Sequence, residues 1–231
     1  MSNAYQRENG KRLSVADPRS LTNKDRRHLA KGLKKKLQQH EALSDEAFDL
    51  VYSPQVRHLS PIHWTPLAVA LKASQKLKEL KVKSILDVGS GCGKFCSVLG
   101  LMEKEILATG VEQREFLLTS AIKTRNIFEL ENVNFISGSA FDLNWNDYEC
   151  IYLFNPFYEH IEPDRVICDD IPIETKQYYS SISITQEKIS QLKKGTLVMT
   201  YHGFGGIIPN CYTMLSGDAC GSDYLRVWLK Q

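Results

Sequence analysis

The sequence predicts an α/β protein: a doubly wound, mostly parallel sheet preceded by a basic helical extension. Three observations carry that expectation. From residue 84 onward, short apolar runs of strand length alternate with longer stretches of helical periodicity. The first of these runs passes directly into a glycine-rich turn, Gly89-Ser90-Gly91-Cys92-Gly93. The segments 211–217 and 224–230 read as a closing hairpin. Alternating strands and helices form a parallel sheet covered on both faces, and such sheets take ligands beyond the carboxyl ends of their strands.

The elements follow in order. Residues 1–20 read as a polar, poorly ordered start. Thr22 or Asn23 suits the cap of a helix reaching about His40, with Leu29, Leu33 and Leu37 as a narrow apolar stripe. A second helical stretch covers roughly Ser44 to Tyr52. Pro61 and Pro66 bracket His63 and Trp64. Helical spacing then resumes from Pro66 through Leu67, Ala70, Leu71, Ser74 and Leu77, with Thr65 as a possible cap. SILDVG is the first strand, followed by a helix through Leu101; 106–112 is the second, followed by a helix from about Arg114 to Phe128. The third and fourth strands are 133–138 and 150–155. A helix from about Thr175 to Leu192 precedes the fifth strand at 195–202. Residues 1–60 form the basic helical extension and 61–231 the main domain.

Composition narrows the function classes. With 42% apolar and 24% charged residues, the 231-residue chain builds one sizeable core. No apolar run approaches a membrane span, and the first residues lack the apolar centre of a secretory signal. None of the six cysteines forms a C-x-x-C pair and no Cys/His spacing suits zinc, so free thiols in a reducing cytoplasm and no metal are expected. The net charge of +2 conceals an asymmetry: residues 1–40 carry +8 and the remainder −6. A basic arm on an acidic body suits a polyanion such as RNA, or a solvated helix face.

The glycine turn carries the chemistry. Glycines allow close backbone approach and present amides at a helix start. A dinucleotide fold wants G-x-G-x-x-G, but the spacing here is Gly89, Gly91, Gly93, with Lys94 at the place of the third dinucleotide glycine. This disfavours a nicotinamide-dependent oxidoreductase. About twenty residues on, the second strand ends at Glu112, placed to accept from both hydroxyls of a ribose. Asp87 lies just before the turn, where it could position a ligand's ammonium.

Together, LDVGSGCGKF and GVE with the strands that follow resemble the class I S-adenosylmethionine-dependent methyltransferases, over about residues 60–231. HWTP, GSGCGKFC, VEQR, YLFNPFYEH and YHGFGG look like a bacterial subgroup of that superfamily. The resemblance implies a Rossmann-like sheet of seven strands whose last strand is antiparallel. It implies S-adenosylmethionine as cofactor, with Gly89, Ser90, Gly91 and Gly93 around its methionine part, Asp87 supporting the loop, and Glu112 with neighbouring Gln113 at the ribose. Relatives carry Gly-Asp after the third strand for the adenine; here Ser139 stands in place of that Asp, with Ala140 beside it and Asp142 as a substitute acceptor. Asn155-Pro156-Phe157-Tyr158 is similar to the Asp/Asn-Pro-Pro-Tyr/Phe motif of amino-methylating enzymes, with Phe157 replacing the second Pro. Asn155 and Pro156 then accept from a substrate N–H while Phe157 or Tyr158 stacks on it. Glu159 and His160 are candidate bases, and Tyr201 and His202 end the fifth strand near the same rim. His63 and Trp64 suit a lid over the cofactor.

The expected function is therefore methyl transfer to a nitrogen or oxygen acceptor, which no residue pattern identifies as protein, small molecule or RNA. A non-catalytic nucleoside-binding adaptor on the same fold is the alternative, supported by Ser139 and opposed by the glycine turn and Glu112.

Overall fold

The computed structural model describes residues 21–162, 167 and 174–231; the polar start and Cys168 lie outside the described residues. The chain opens with α1 (Asn23–Gln38), α2 (Asp45–Asp49), α3 (Pro54–Arg57), α4 (Ser60–His63) and α5 (Leu67–Glu79). The alternating part is β1 (Ser84–Val88), α6 (Lys94–Met102), β2 (Leu107–Glu112), α7 (Glu115–Phe128), β3 (Val133–Ser137), β4 (Cys150–Phe154), α8 (Thr175–Ser190) and β5 (Leu197–Tyr201). The hairpin β6 (Tyr212–Cys220) and β7 (Asp223–Lys230) closes the chain.

Seven strands lie in the order β3-β2-β1-β4-β5-β7-β6. Strands β1 to β5 are parallel, while the last strand, β7, runs antiparallel between β5 and β6. The winding reverses between β1 and β4, so the crevice at their carboxyl ends is the switch point where such sheets take ligands. Residue alternation divides the core between the two faces. Ile85 and Tyr152 face the larger core with α5, α6 and α7. Leu86, Val88, Ile151 and Leu153 face a smaller one with Ile189 of α8 and Trp145.

Of the expected leucine stripe, Leu33 and Leu37 are buried and Leu29 is half-buried against the larger core. Ala30, Leu33 and Leu37 are buried in the larger core, and Thr22 caps α1 in a reciprocal pair with Asp25. Two features differ from the sequence reading. Helix α2 stops at Asp49, and Pro54 and Pro61 start the separate turns α3 and α4. Thr65 does not cap α5: Pro66 holds that position, and the Thr65 hydroxyl lies 3.0 Å from the buried Tyr152 phenol instead.

A buried cation ties the extension to the glycine turn. Lys94 is 2% exposed, and its Nζ lies 2.5 Å from Asp45, 2.8 Å from Asp49 and 3.3 Å from Ser60. Ser60 donates to Asp49, and Asp45 accepts from the Leu67 amide at 2.8 Å, where α5 begins. Burial pushes the Asp49 carboxyl up against the pull of Lys94. Breaking a buried pair leaves an uncompensated charge, so Lys94→Met is expected to cost about 3–5 kcal/mol in equilibrium urea unfolding. Adding Asp49→Leu should recover much of that loss.

Candidate active site

A cavity of about 1020 Å³ opens at the switch point. Its walls come from the ends of β1, β2, β4 and β5, from the turn after β3, and from α2 and α4.

The glycine turn is shaped by what packs on it. Gly89, Gly91 and Gly93 all have left-handed φ, at 74°, 55° and 74°. A methyl group at Gly91 would meet the Trp64 ring at 2.3 Å, and one at Gly93 the Phe135 ring at 2.4 Å. Gly89 lies under Pro156, whose Cβ is 3.4 Å from where a Gly89 Cβ would stand. Gly89 and Gly91 line the cavity, whereas Asp87, Ser90 and Gly93 lie behind its wall. Trp64 and His63 line it as well. The Trp64 indole covers Gly91 and donates to the Val56 carbonyl at 3.3 Å.

Glu112 faces the cavity from the end of β2 and is 4% exposed. Its carboxylate accepts the Gly91 amide at 3.0 Å and the Arg114 amide at 2.8 Å. A carboxylate has about four acceptor sites, so these two amides do not exhaust it, although the Arg114 guanidinium and the Gln113 amide also draw on it. Burial raises its pKa above the ordinary value, and the Arg114 amide and guanidinium oppose that shift. Gln113, Gly138, Ser139 and Ala140 share the wall, with open space above Gly138. The Ser139 oxygen accepts the Phe141 amide at 3.2 Å, leaving its O–H free to donate. Asp142 does not line the cavity.

The turn after β4 lines the same cavity. Asn155 adopts φ 40°, a conformation Asn tolerates better than other side-chain-bearing residues, and its amide donates to the Gly203 carbonyl at 2.8 Å. His202 is also left-handed, at φ 55°. Strained residues at two adjacent strand ends, both on a cavity wall, are a functional signature. Asn155, Pro156, Phe157 and Tyr158 all line the cavity, and Phe157 packs on Phe141 with ring centroids 5.7 Å apart.

Glu159 and His160 are buried on the same wall. The Glu159 carboxylate is joined to the Arg114 guanidinium, which also lies 3.5 Å from Glu112. Glu159 is thus committed to an ion pair. Burial lowers the His160 pKa, keeping its imidazole neutral. Arg114 had no sequence signal except its place two residues after Glu112.

Asp87 is buried beneath the turn, with the Cys96 thiol 3.5 Å away. Burial pushes its pKa up to about 7. The folded chain therefore keeps this proton where the unfolded chain, with a pKa near 4, has lost it. Stability from this group is greatest below pH about 4 and falls as the pH rises to about 7. Asp87→Asn should flatten that decline, measured as urea midpoints between pH 5 and pH 8.

Residues 79–204 match the family described as "Methyltransferase domain". Over 85 residues the chain is 31% identical to the release factor glutamine methyltransferase of Fusobacterium nucleatum, covering 36% of this chain and 24% of that protein. The match spans about a quarter of that relative's length. A solved structure from Staphylococcus aureus, provisionally assigned as a caffeoyl-CoA O-methyltransferase, aligns with a TM-score of 0.51 and 19% identity, over 87% of this chain and 99% of its own. A MtNAS mutant in complex with S-adenosylmethionine aligns at 0.50 and 11%, over 90% and 77%. These two likenesses show the fold.

Proposed function

The chain belongs to the methyltransferase-domain family, a class of S-adenosylmethionine-dependent enzymes, and from that premise we propose where it holds cofactor and acceptor. One observation carries the reading: Glu112 and the Asn155–Tyr158 turn line one and the same cavity.

The residues present suit the cofactor's chemistry. Glu112 offers its carboxylate to a ribose diol. Gly89 and Gly91 bring backbone to the cavity wall, and the space above Gly138 together with Phe141 suits a flat base. Ser139 and Ala140, which line the cavity, take the adenine edge in preference to Asp142, which does not line it. Gln113 and Trp64 complete the pocket, while Asp87, Ser90 and Gly93 hold the turn's shape from behind. When bound, S-adenosylmethionine supplies an electrophilic methyl group on a good leaving group.

The chain's own work is then alignment and exclusion of water. Asn155 and Pro156 offer oxygen acceptors to the acceptor's N–H or O–H, and Phe157 and Tyr158 give it a flat apolar wall. His160 and His202 line the same cavity as candidate bases for any proton released. The glutamine-modifying relative agrees with a nitrogen acceptor, and the acceptor's identity stays open between nitrogen and oxygen. A cytoplasmic setting fits the reading; among the described residues no helix is long and apolar enough to cross a membrane.

One observation favours RNA as the acceptor class. The outer face of α1 exposes Lys24, Arg27, Lys31 and Lys35, and Arg57 on the cavity wall is close enough to Arg26 for the two charges to repel. A phosphate backbone laid along α1 would approach the cavity mouth. This reading requires RNA affinity that falls steeply with salt. Affinity that stays flat from low to high salt in filter binding would remove it.

Calorimetry tests the cofactor assignment. The wild type should bind S-adenosylhomocysteine, and Glu112→Ala should weaken that binding at least about tenfold, or 1.4 kcal/mol. Asn155→Ala should bind normally yet lose transfer of labelled methyl groups to a cell extract. A wild type that gives no heat with either form of the cofactor would contradict the proposal.

A further inference from the structure

The end of the cavity beyond Asn155 holds a group of residues to which the sequence assigned no role except for His202. Strand β5 ends at Tyr201, and the tight turn between β6 and β7, Gly221-Ser222, folds back against it. Gly221 takes φ 61°, which lets the turn close within two residues. The result is one imidazole held at both nitrogens. His202 Nε2 lies 2.9 Å from Ser222 Oγ, and Nδ1 lies 3.5 Å from Asp223 Oδ2. The other Asp223 oxygen is 3.4 Å from the Arg226 guanidinium. The ring rests beside Phe154 and Tyr201, at centroid separations of 5.9 and 4.6 Å.

The order of these groups has a direction. His202 and Ser222 line the cavity, whereas Asp223 and Arg226 lie behind them. Tyr201 donates its hydroxyl to the Cys220 carbonyl at 2.9 Å, so its oxygen accepts from the Ser222 amide at 3.2 Å. Asp223 is held below the ordinary carboxylate range: burial works the other way, and the Tyr224 amide, Arg226 and His202 outweigh it. The Asp223 carboxylate, 3.5 Å from Nδ1, favours a proton on that nitrogen. Nε2 then carries a lone pair for the Ser222 O–H, whose oxygen is closer to it at 2.9 Å than to the competing Tyr201 hydroxyl at 3.2 Å.

We infer that Ser222, His202 and Asp223 form a proton relay for the methyl acceptor, with Asp223 as a positioning residue, and that the acceptor group is a hydroxyl. This rests on the methyl-transfer reading above and narrows its acceptor. A neutral amine attacks through its lone pair and sheds its proton afterwards, whereas an alcohol or phenol must lose its proton as the new bond forms. A base oriented by a neighbouring carboxylate is what the second case requires. In the step, the acceptor oxygen bonds to the methyl carbon as the sulfur–carbon bond breaks, its electron pair staying on sulfur. The acceptor proton passes to Ser222 Oγ, the serine's own proton passes to His202 Nε2, and Asp223 stabilises the imidazolium. His160 is less suited, because its neighbouring carboxylate, Glu159, is engaged by Arg114.

Long-range nitrogen–proton NMR of the six histidines, recorded without cofactor, tests the relay directly. His202, assigned by its disappearance in His202→Gln, should show the Nδ1-protonated tautomer. Asp223→Asn should shift it toward Nε2–H, Asp223→Glu should restore it, and Ser222→Ala should leave it unchanged. The other histidine signals report that each variant is folded. An Nε2–H tautomer in the wild type, or one indifferent to Asp223→Asn, overturns the inference and marks the group as a latch for the hairpin. In transfer of labelled methyl groups to a cell extract, Ser222→Ala and Asp223→Asn should each lower the rate about a hundredfold with S-adenosylhomocysteine affinity within about twofold. Unchanged transfer, or label found solely on nitrogen, would equally refute it. Because the spectra need no cofactor, their failure is separate from a failure of cofactor binding.

Discussion

Arg114 is the constraint on which the cavity depends. It is buried between Glu112 and Glu159, two carboxylates of which one ends β2 and the other follows β4, and its backbone amide fixes Glu112 as well. Burial works against the charge of Glu112, and the amide and guanidinium of Arg114 oppose that effect. Guanidinium suits the task because its planar fork reaches two carboxylates at once and stays ionised. The charge of Glu112, which the ribose needs, therefore depends on the same side chain that holds the turn carrying Asn155 and Tyr158. Cofactor end and acceptor end are thus coupled through one residue.

A second cation plays the matching part on the other side of the glycine turn. Lys94 fills the place where a dinucleotide fold has a glycine, and its side chain runs inward to Asp45 and Asp49. That anchors the short helices of the extension, including the one that sets Trp64 on Gly91. The extension thus forms part of the cavity wall as well as part of the larger core, and its basic outer surface is carried on a helix whose inner face is fixed by leucines. The turn itself is confined from three directions, by Trp64, Phe135 and Pro156.

Much of the architecture was legible because its signals are local. The alternation of strands and helices, the helix cap at Thr22 and the closing hairpin rest on neighbours within a few residues, and each lies where the pattern placed it. Glu112 and Asn155 were legible from their positions at strand ends. The rest depends on contacts distant in sequence. Arg114 meets Glu159 across 45 residues, and Lys94 meets Asp45 across 49. Ser222 and Asp223 read as turn residues until the antiparallel insertion of β7 beside β5 brings them to His202. Thr65 was misread for the same reason: its partner, Tyr152, is 87 residues away and outcompetes the local cap.

The account stands on one spatial claim: cofactor ribose at Glu112, with the transferable methyl directed at the Asn155–Tyr158 turn. A crystal structure of the protein grown with S-adenosylhomocysteine measures this directly. The account predicts the ribose hydroxyls on the Glu112 carboxylate, the adenine beside Ser139 and Phe141, and the sulfur facing Asn155 and Pro156. Ligand density elsewhere, or a ribose turned away from Glu112 with the sulfur buried against another wall, would contradict it.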